Sequence, residues 1–155
     1  MTVRPALMTA AFLLFASFPC WGATRTWSGS TGTWDDSNGA PWSGTAPTTS
    51  DVVNLTQSTA GNITITYEGN KTIGLTGTEA LTGTRYGDFT LQNAGGGTTT
   101  LDIAAGDVLP CNNGYINAGG RLSMSGGLYS PESHMYMNGG SVEQSGGLIE
   151  PHNYD

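Results

Sequence analysis

The sequence predicts an all-β fold of the solenoid kind, a parallel β-helix made of short strands and glycine corners. Three observations carry that expectation. Beyond the N-terminal two dozen residues, nothing repeats apolar residues at three- and four-residue spacing for more than a turn, so amphipathic helices are missing. Short bursts alternate apolar or β-branched residues with hydroxylated ones, as half-buried strands do. Finally, residues 117–131 align without a gap on residues 137–151. Gly119 and Gly139, Gly126 and Gly146, Leu128 and Leu148, and Pro131 and Pro151 each stand 20 positions apart.

The first element is a leader. Arg4 precedes an almost unbroken apolar run over 6–18, and Pro19 and the small residues Gly22 and Ala23 follow, which is the three-part pattern of a secretory signal peptide cleaved near 22/23. The run is shorter than the roughly 20 residues a membrane-spanning helix needs. Residues 1–23 are therefore expected to direct export, giving a secreted or cell-surface protein with no membrane-spanning segment in the mature chain. Removal of Arg4 makes the net charge of −7 more negative still, which leaves no basic surface for nucleic acid. Cys20 leaves with the leader. Cys111 then has no partner for an internal disulfide and reads as a small buried residue.

Residues 24–60 read as a Trp-rich N-terminal cap. Trp27, Trp34 and Trp42 are spaced among Ser, Gly and Asp, and Pro47 and a strand-like stretch at 51–55 come after them. Two roles suit such indoles. They can form a carbohydrate-binding platform, with Trp27, Trp34 and Trp42 as its candidate residues, or they can cover the open end of a solenoid. Uncovered solenoid ends resemble unprotected sheet edges, which favours the cap.

Residues 61–155 read as the coils. Strands are expected at 63–67, 88–92, 99–103, 121–124 and 135–137, with Gly-Gly, Gly-Asn, Asn-Gly and Asn-Asn pairs as tight turns between them. The clearest repeat units are 117–136 and 137–155. Two double-glycine corners within 20 residues leave no space for a helix, and the Leu-x-Leu strand with an Asn ladder of a leucine-rich repeat is absent. Stacked coils would set Leu122 over Val142 and Leu128 over Leu148 as inward columns, each coil burying its apolar edge against the next.

Chemistry is sparse. A lyase on such a scaffold needs a base beside clustered carboxylates, and the cations available are Lys71, Arg25, Arg85 and Arg121. The repeat places Arg121 and Glu143 on neighbouring coils, where a solvated surface pair is the expected role. Asp35 and Asp36 are adjacent and share no cleft geometry, while Asp102 and Asp107 suit turns and caps. His134 and His152 occupy related places in successive repeats, yet two histidines without a third ligand make no strong metal site. No catalytic residue, cofactor or metal site is expected. Thr64 and Thr66 form a pair of the kind found on flat ice-binding faces, but Ser123, Met124, Glu143 and Gln144 replace it in later coils.

Thr26-Trp27-Ser28-Gly29, Gly32-Thr33-Trp34-Asp35, Pro41-Trp42-Ser43-Gly44, Ala46-Pro47 and Asp51-Val52-Val53 together resemble the mature N-terminus of bacterial autotransporter-passenger-like β-helix repeat proteins. The resemblance implies export and a right-handed parallel β-helix with Gly-Gly-x-Leu/Val repeats. It implies no particular ligand; the expected role is a non-enzymatic, monomeric stalk or adhesin-like passenger segment, with polysaccharide or other cell-surface ligands as its candidate partners. The other expectations are the N-terminal part of a carbohydrate-active β-helix, a lyase or hydrolase, and a sugar-binding module using the Trp-rich segment. The chain shows no C-terminal membrane barrel or sorting tail, and it stops just after its second clear repeat, so it reads as a fragment of a longer protein.

Overall fold

The computed structural model describes residues 22–34, 41–48, 50–68 and 86–150. Within these the protein is all-β, with eleven strands: β1 Thr24–Thr26, β2 Gly32–Trp34, β3 Val52–Gln57, β4 Ile63–Tyr67, β5 Phe89–Asn93, β6 Thr99–Ile103, β7 Val108–Asn117, β8 Gly120–Met124, β9 Leu128–Asn138, β10 Ser141–Gln144 and β11 Leu148–Ile149. Residues 1–21, the bulk of the expected signal peptide, fall outside the described residues, as do Asp35, Asp36, Lys71, Arg85, Pro151 and His152.

Consecutive strands alternate between two sheets. The odd strands form a six-stranded sheet in the order β1-β3-β5-β7-β9-β11, and the even strands a five-stranded sheet in the order β10-β8-β6-β4-β2. Every pairing between named strands is parallel. Each odd strand and the even strand after it thus make one layer, about 4.8 Å from the next. β1 and β3 of the Trp-rich segment belong to the same sheet as the later layers.

Alternation along each strand sends one set of side chains inward, and parallel register stacks like on like. In the five-stranded sheet Ile65, Leu101 and Leu122 form one buried column, and Tyr67, Ile103 and Met124 the next. Leu55, Leu91 and Ile116 do the same in the six-stranded sheet. The expected columns are present, with Leu122 opposite Val142 and Leu128 opposite Leu148. Val142 is half-buried and Leu148 remains 47% exposed, so burial fades along the final layer.

Two expectations of local structure are corrected. Asn112-Asn113 is not a turn. It lies inside the ten-residue β7, where the pairing with β9 shifts register between Cys111 and Asn113. The short strand expected at 135–137 is the end of the eleven-residue β9, which passes straight through Pro131. That same shift pairs Asn117 with Asn138 rather than with Met137, whereas β8 and β10 keep the 20-residue spacing, Arg121 opposite Ser141.

Candidate functional site

The three indoles singled out from the sequence converge, but inside the protein. Trp27, Trp34 and Trp42 are 1%, 0% and 5% exposed. β1 leads into Trp27, β2 ends in Trp34, and the segment around Trp42 folds back antiparallel on Trp27. Trp34 is the hub. Its ring meets Trp42 at 5.1 Å, Tyr67 at 4.7 Å and Tyr86 at 5.1 Å, while Trp27 meets Trp42 edge-on at 5.2 Å. Edge-to-face pairs of this kind add about 0.5–1.5 kcal/mol each beyond area burial. Ring faces covered by one another offer no platform to a sugar, so the sugar-stacking role drawn for Trp27, Trp34 and Trp42 does not fit the geometry. Tyr67 continues the cluster inward, donating its hydroxyl to the Val108 carbonyl at 3.0 Å.

The charged groups of this first region are structural as well. Arg25 Nε lies 3.2 Å from Asp51 Oδ2, which also accepts from the Thr48 backbone N–H and hydroxyl at 3.0 Å each. Burial pushes the Asp51 carboxyl up, but the Thr48 backbone, Arg25 and the Thr48 hydroxyl outweigh it, and the group is held below its usual value. Bonds from Arg25 and Thr48 to one carboxylate pin the 48–51 turn to β1.

On the outer face of the five-stranded sheet, Asn62, Thr64, Thr98, Thr100 and Arg121 line a shallow polar cleft of about 190 Å³. Arg121 Nε donates to Thr100 Oγ1 at 3.2 Å, and its Nη1 lies 3.2 Å from Glu143 Oε1. The cross-layer pair inferred from the repeat therefore forms, on an exposed surface where such a pair contributes little to stability. Ser123 donates to Asp102 at 2.8 Å in the neighbouring outward column. That column runs Thr33, Thr66, Asp102, Ser123, Glu143, so no threonine array is sustained.

The outer face of the six-stranded sheet carries what sequence reasoning missed. Its central outward column begins Thr26, Asn54, Thr90 and then turns aromatic with Tyr115 and Tyr136. These two rings stack at 4.9 Å and 9° between planes, and His134 lies beside Tyr136 at 5.5 Å and 23°. On one flank Asn138 donates to Asn117 Oδ1 at 3.0 Å, and Asn117 donates to Gln92 Oε1 at 3.3 Å. On the other, Asn112 and Asn113 both donate to Asp88 Oδ1, at 3.1 and 2.9 Å. Partial burial, then the Asp88 charge, then Tyr136 raise the Tyr115 phenol above its usual value.

A signal for this column exists in the sequence. Tyr115-Ile-Asn-Ala-Gly-Gly120 matches Tyr136-Met-Asn-Gly-Gly140 once one residue is skipped, and a gapless 20-residue alignment hides it. Among the described residues no group of three or more His, Cys, Asp or Glu is placed to hold a metal ion, and no helix is long and apolar enough to cross a membrane. Set against family models, curated proteins and solved structures, the chain has no significant match in any of them.

Proposed function

We propose that the protein is an exported right-handed parallel β-helix acting as a non-enzymatic stalk or adhesin-like passenger segment at a bacterial surface. The observation that carries this reading is the strict alternation of strands between two parallel sheets, with a near-constant 20- or 21-residue step over the later layers. Such a step winds the chain forward by one layer per turn, and the hand follows the general preference of parallel crossovers. Export is supported by the leader-like residues 1–23, and the surface role by the resemblance of the Trp-Ser-Gly segments to autotransporter-type passengers. The non-enzymatic reading is supported by the use of Asp51, Asp88, Asp102 and Glu143 in structural contacts. In mechanical terms, stacked layers leave few accessible backbone segments, so the coil would hold its form outside the cell and display whatever it carries.

The test is to express the chain with its own leader in a Gram-negative host and examine the exported material. The expected result is a mature N-terminus at Ala23 or Thr24 and a protein that resists a broad-specificity protease until it is denatured. Retention in the cytoplasm with Met1 intact, or digestion as fast as that of the denatured chain, would overturn the reading.

A further inference from the structure

We infer that the leader is cut between Gly22 and Ala23, and that the buried Asp51 carboxylate receives the new α-ammonium of Ala23, locking β1 onto β3. This cut rests on the export reading and narrows it to one bond and one acceptor. Asp51 is 4% exposed, and the bonds from Arg25 Nε, the Thr48 N–H and the Thr48 hydroxyl all end on its Oδ2. Its other oxygen, Oδ1, faces Gly22. A Cβ at Gly22 would lie 2.5 Å from Oδ1, from the Asp51 nitrogen and from the Ser50 carbonyl oxygen. The Ala23 N–H donates to the same carboxylate. The nitrogen that cleavage frees is therefore already aimed at a buried anion.

Hydrolysis of the Gly22–Ala23 amide by a host leader peptidase and water leaves a carboxylate on Gly22, which departs with the leader. It leaves an amine on Ala23 that takes up a proton at neutral pH. A neutral N–H facing Asp51 becomes a charged donor group, and the space Gly22 filled against Oδ1 opens to it. Charge pairing gains most where water is excluded, as it is around this carboxylate. Ala23 keeps its place without the leader, because its carbonyl accepts from the Val52 N–H at 3.0 Å and Thr24 to Thr26 pair with Val52 to Asn54. The bond given up runs from the Gly22 N–H to the carbonyl of Ser50, an exposed residue where water replaces it. A cut one residue later fits worse. It would remove both the acceptor of the Val52 N–H and the nitrogen that faces Asp51. It would also set Trp21 rather than Cys20 at the third position before the cut, where leader cleavage favours small residues.

The experiment is to express the full chain with its leader in a Gram-negative host and read the N-terminus of the exported protein by mass spectrometry. Its amines are then titrated by NMR after reductive methylation with carbon-13. Lys71 is the single lysine of the sequence, so it and the α-amine are the groups that take the label. The expected N-terminus is Ala23, with an α-amine that titrates about one pH unit or more above its value in the urea-denatured chain. Asp51→Asn should return it to the denatured value. Should Asp51→Asn fail to fold, the comparison of folded and denatured unaltered protein decides alone. An exported protein that begins at Thr24 or upstream of Ala23 would overturn the inference and leave export standing. So would an α-amine that titrates at its denatured value, or one that Asp51→Asn leaves unmoved in a folded protein. Retention in the cytoplasm with Met1 intact overturns the export reading and this cut with it.

Discussion

Cys111 and Tyr129 show how strongly a single buried pair in this thin core responds to pH. Both are 0% exposed, and the Cys111 sulfur lies 3.8 Å from the Tyr129 hydroxyl, beneath Gly114, where any Cβ would collide with the phenol. Burial pushes the Cys111 thiol up to about 12; the Tyr129 hydroxyl partly opposes this, and the charges of Asp88 and Glu132 add to it. Burial, with the neighbouring thiol, also pushes Tyr129 well above its usual value. In the unfolded chain the two groups would release their protons near pH 8.5 and 10. A raised native pKa leaves stability whole below the unfolded value and erodes it above, because only the unfolded chain releases the proton there. Stability is therefore expected to hold up to about pH 8.5 and then fall towards pH 12, by about 1.4 kcal/mol per pH unit for each proton retained. Urea midpoints measured from pH 7 to 11 check this, together with labelling by a thiol reagent at pH 8. Native protein should label far more slowly than denatured protein, and rapid native labelling would contradict the buried thiol.

At the scale of elements, the corners between strands hold the layers at their spacing. Gly127 and Gly147 close corresponding corners, both at positive φ, 70° and 75°. A methyl group at Gly127 would also run into the Asp107 carbonyl of the preceding layer, 2.6 Å away. Gly96 has φ 88° but meets nothing within 4 Å. Gly96→Ala is thus expected to cost about 1 kcal/mol, from backbone strain alone. Gly127→Ala should cost about 2–4 kcal/mol, since overpacking adds to that strain. Paired chemical denaturation curves measure the difference, and equal costs would mean that layer contact does not constrain the corner.

These elements also show what was legible beforehand. β4 and β6 were readable to the residue, because alternation bounded by Gly, Asn and Thr is a local signal. β7 and β9 were not, since Pro110, Pro131 and Asn112-Asn113 all read locally as breaks, and only pairing with a neighbouring layer carries the strand through them. The tryptophans were visible as a group, but their burial depends on Tyr67 and Tyr86, 19 residues apart in sequence and brought together by the layers. Tyr115 and Tyr136 escaped because a one-residue register shift separates them from the obvious repeat.

For the molecule as a whole, the central claim is that short strands and glycine corners stack as parallel layers rather than fold as antiparallel hairpins. Local sequence does not decide between these, since Asn-Gly and Gly-Gly pairs between alternating strands also favour hairpins. What decides is the step. Hairpins pair neighbouring strands, whereas here each strand pairs with the next but one, at Leu101 opposite Leu122 and Leu122 opposite Val142. The layered arrangement explains the tolerance for few charges and many glycines, because apolar columns, amide pairs and close corners replace a thick core. It also places separate outward columns on the two sheets, polar on one and partly aromatic on the other.

The most direct test is solution NMR of the isotope-labelled protein, reading backbone nuclear Overhauser contacts between strands. The account predicts contacts linking 99–103 to 120–124 and 121–124 to 141–144 in parallel order, with Leu122 next to both Leu101 and Val142. Antiparallel contacts joining 120–124 to 128–138 across the Gly126-Gly127 corner would contradict it.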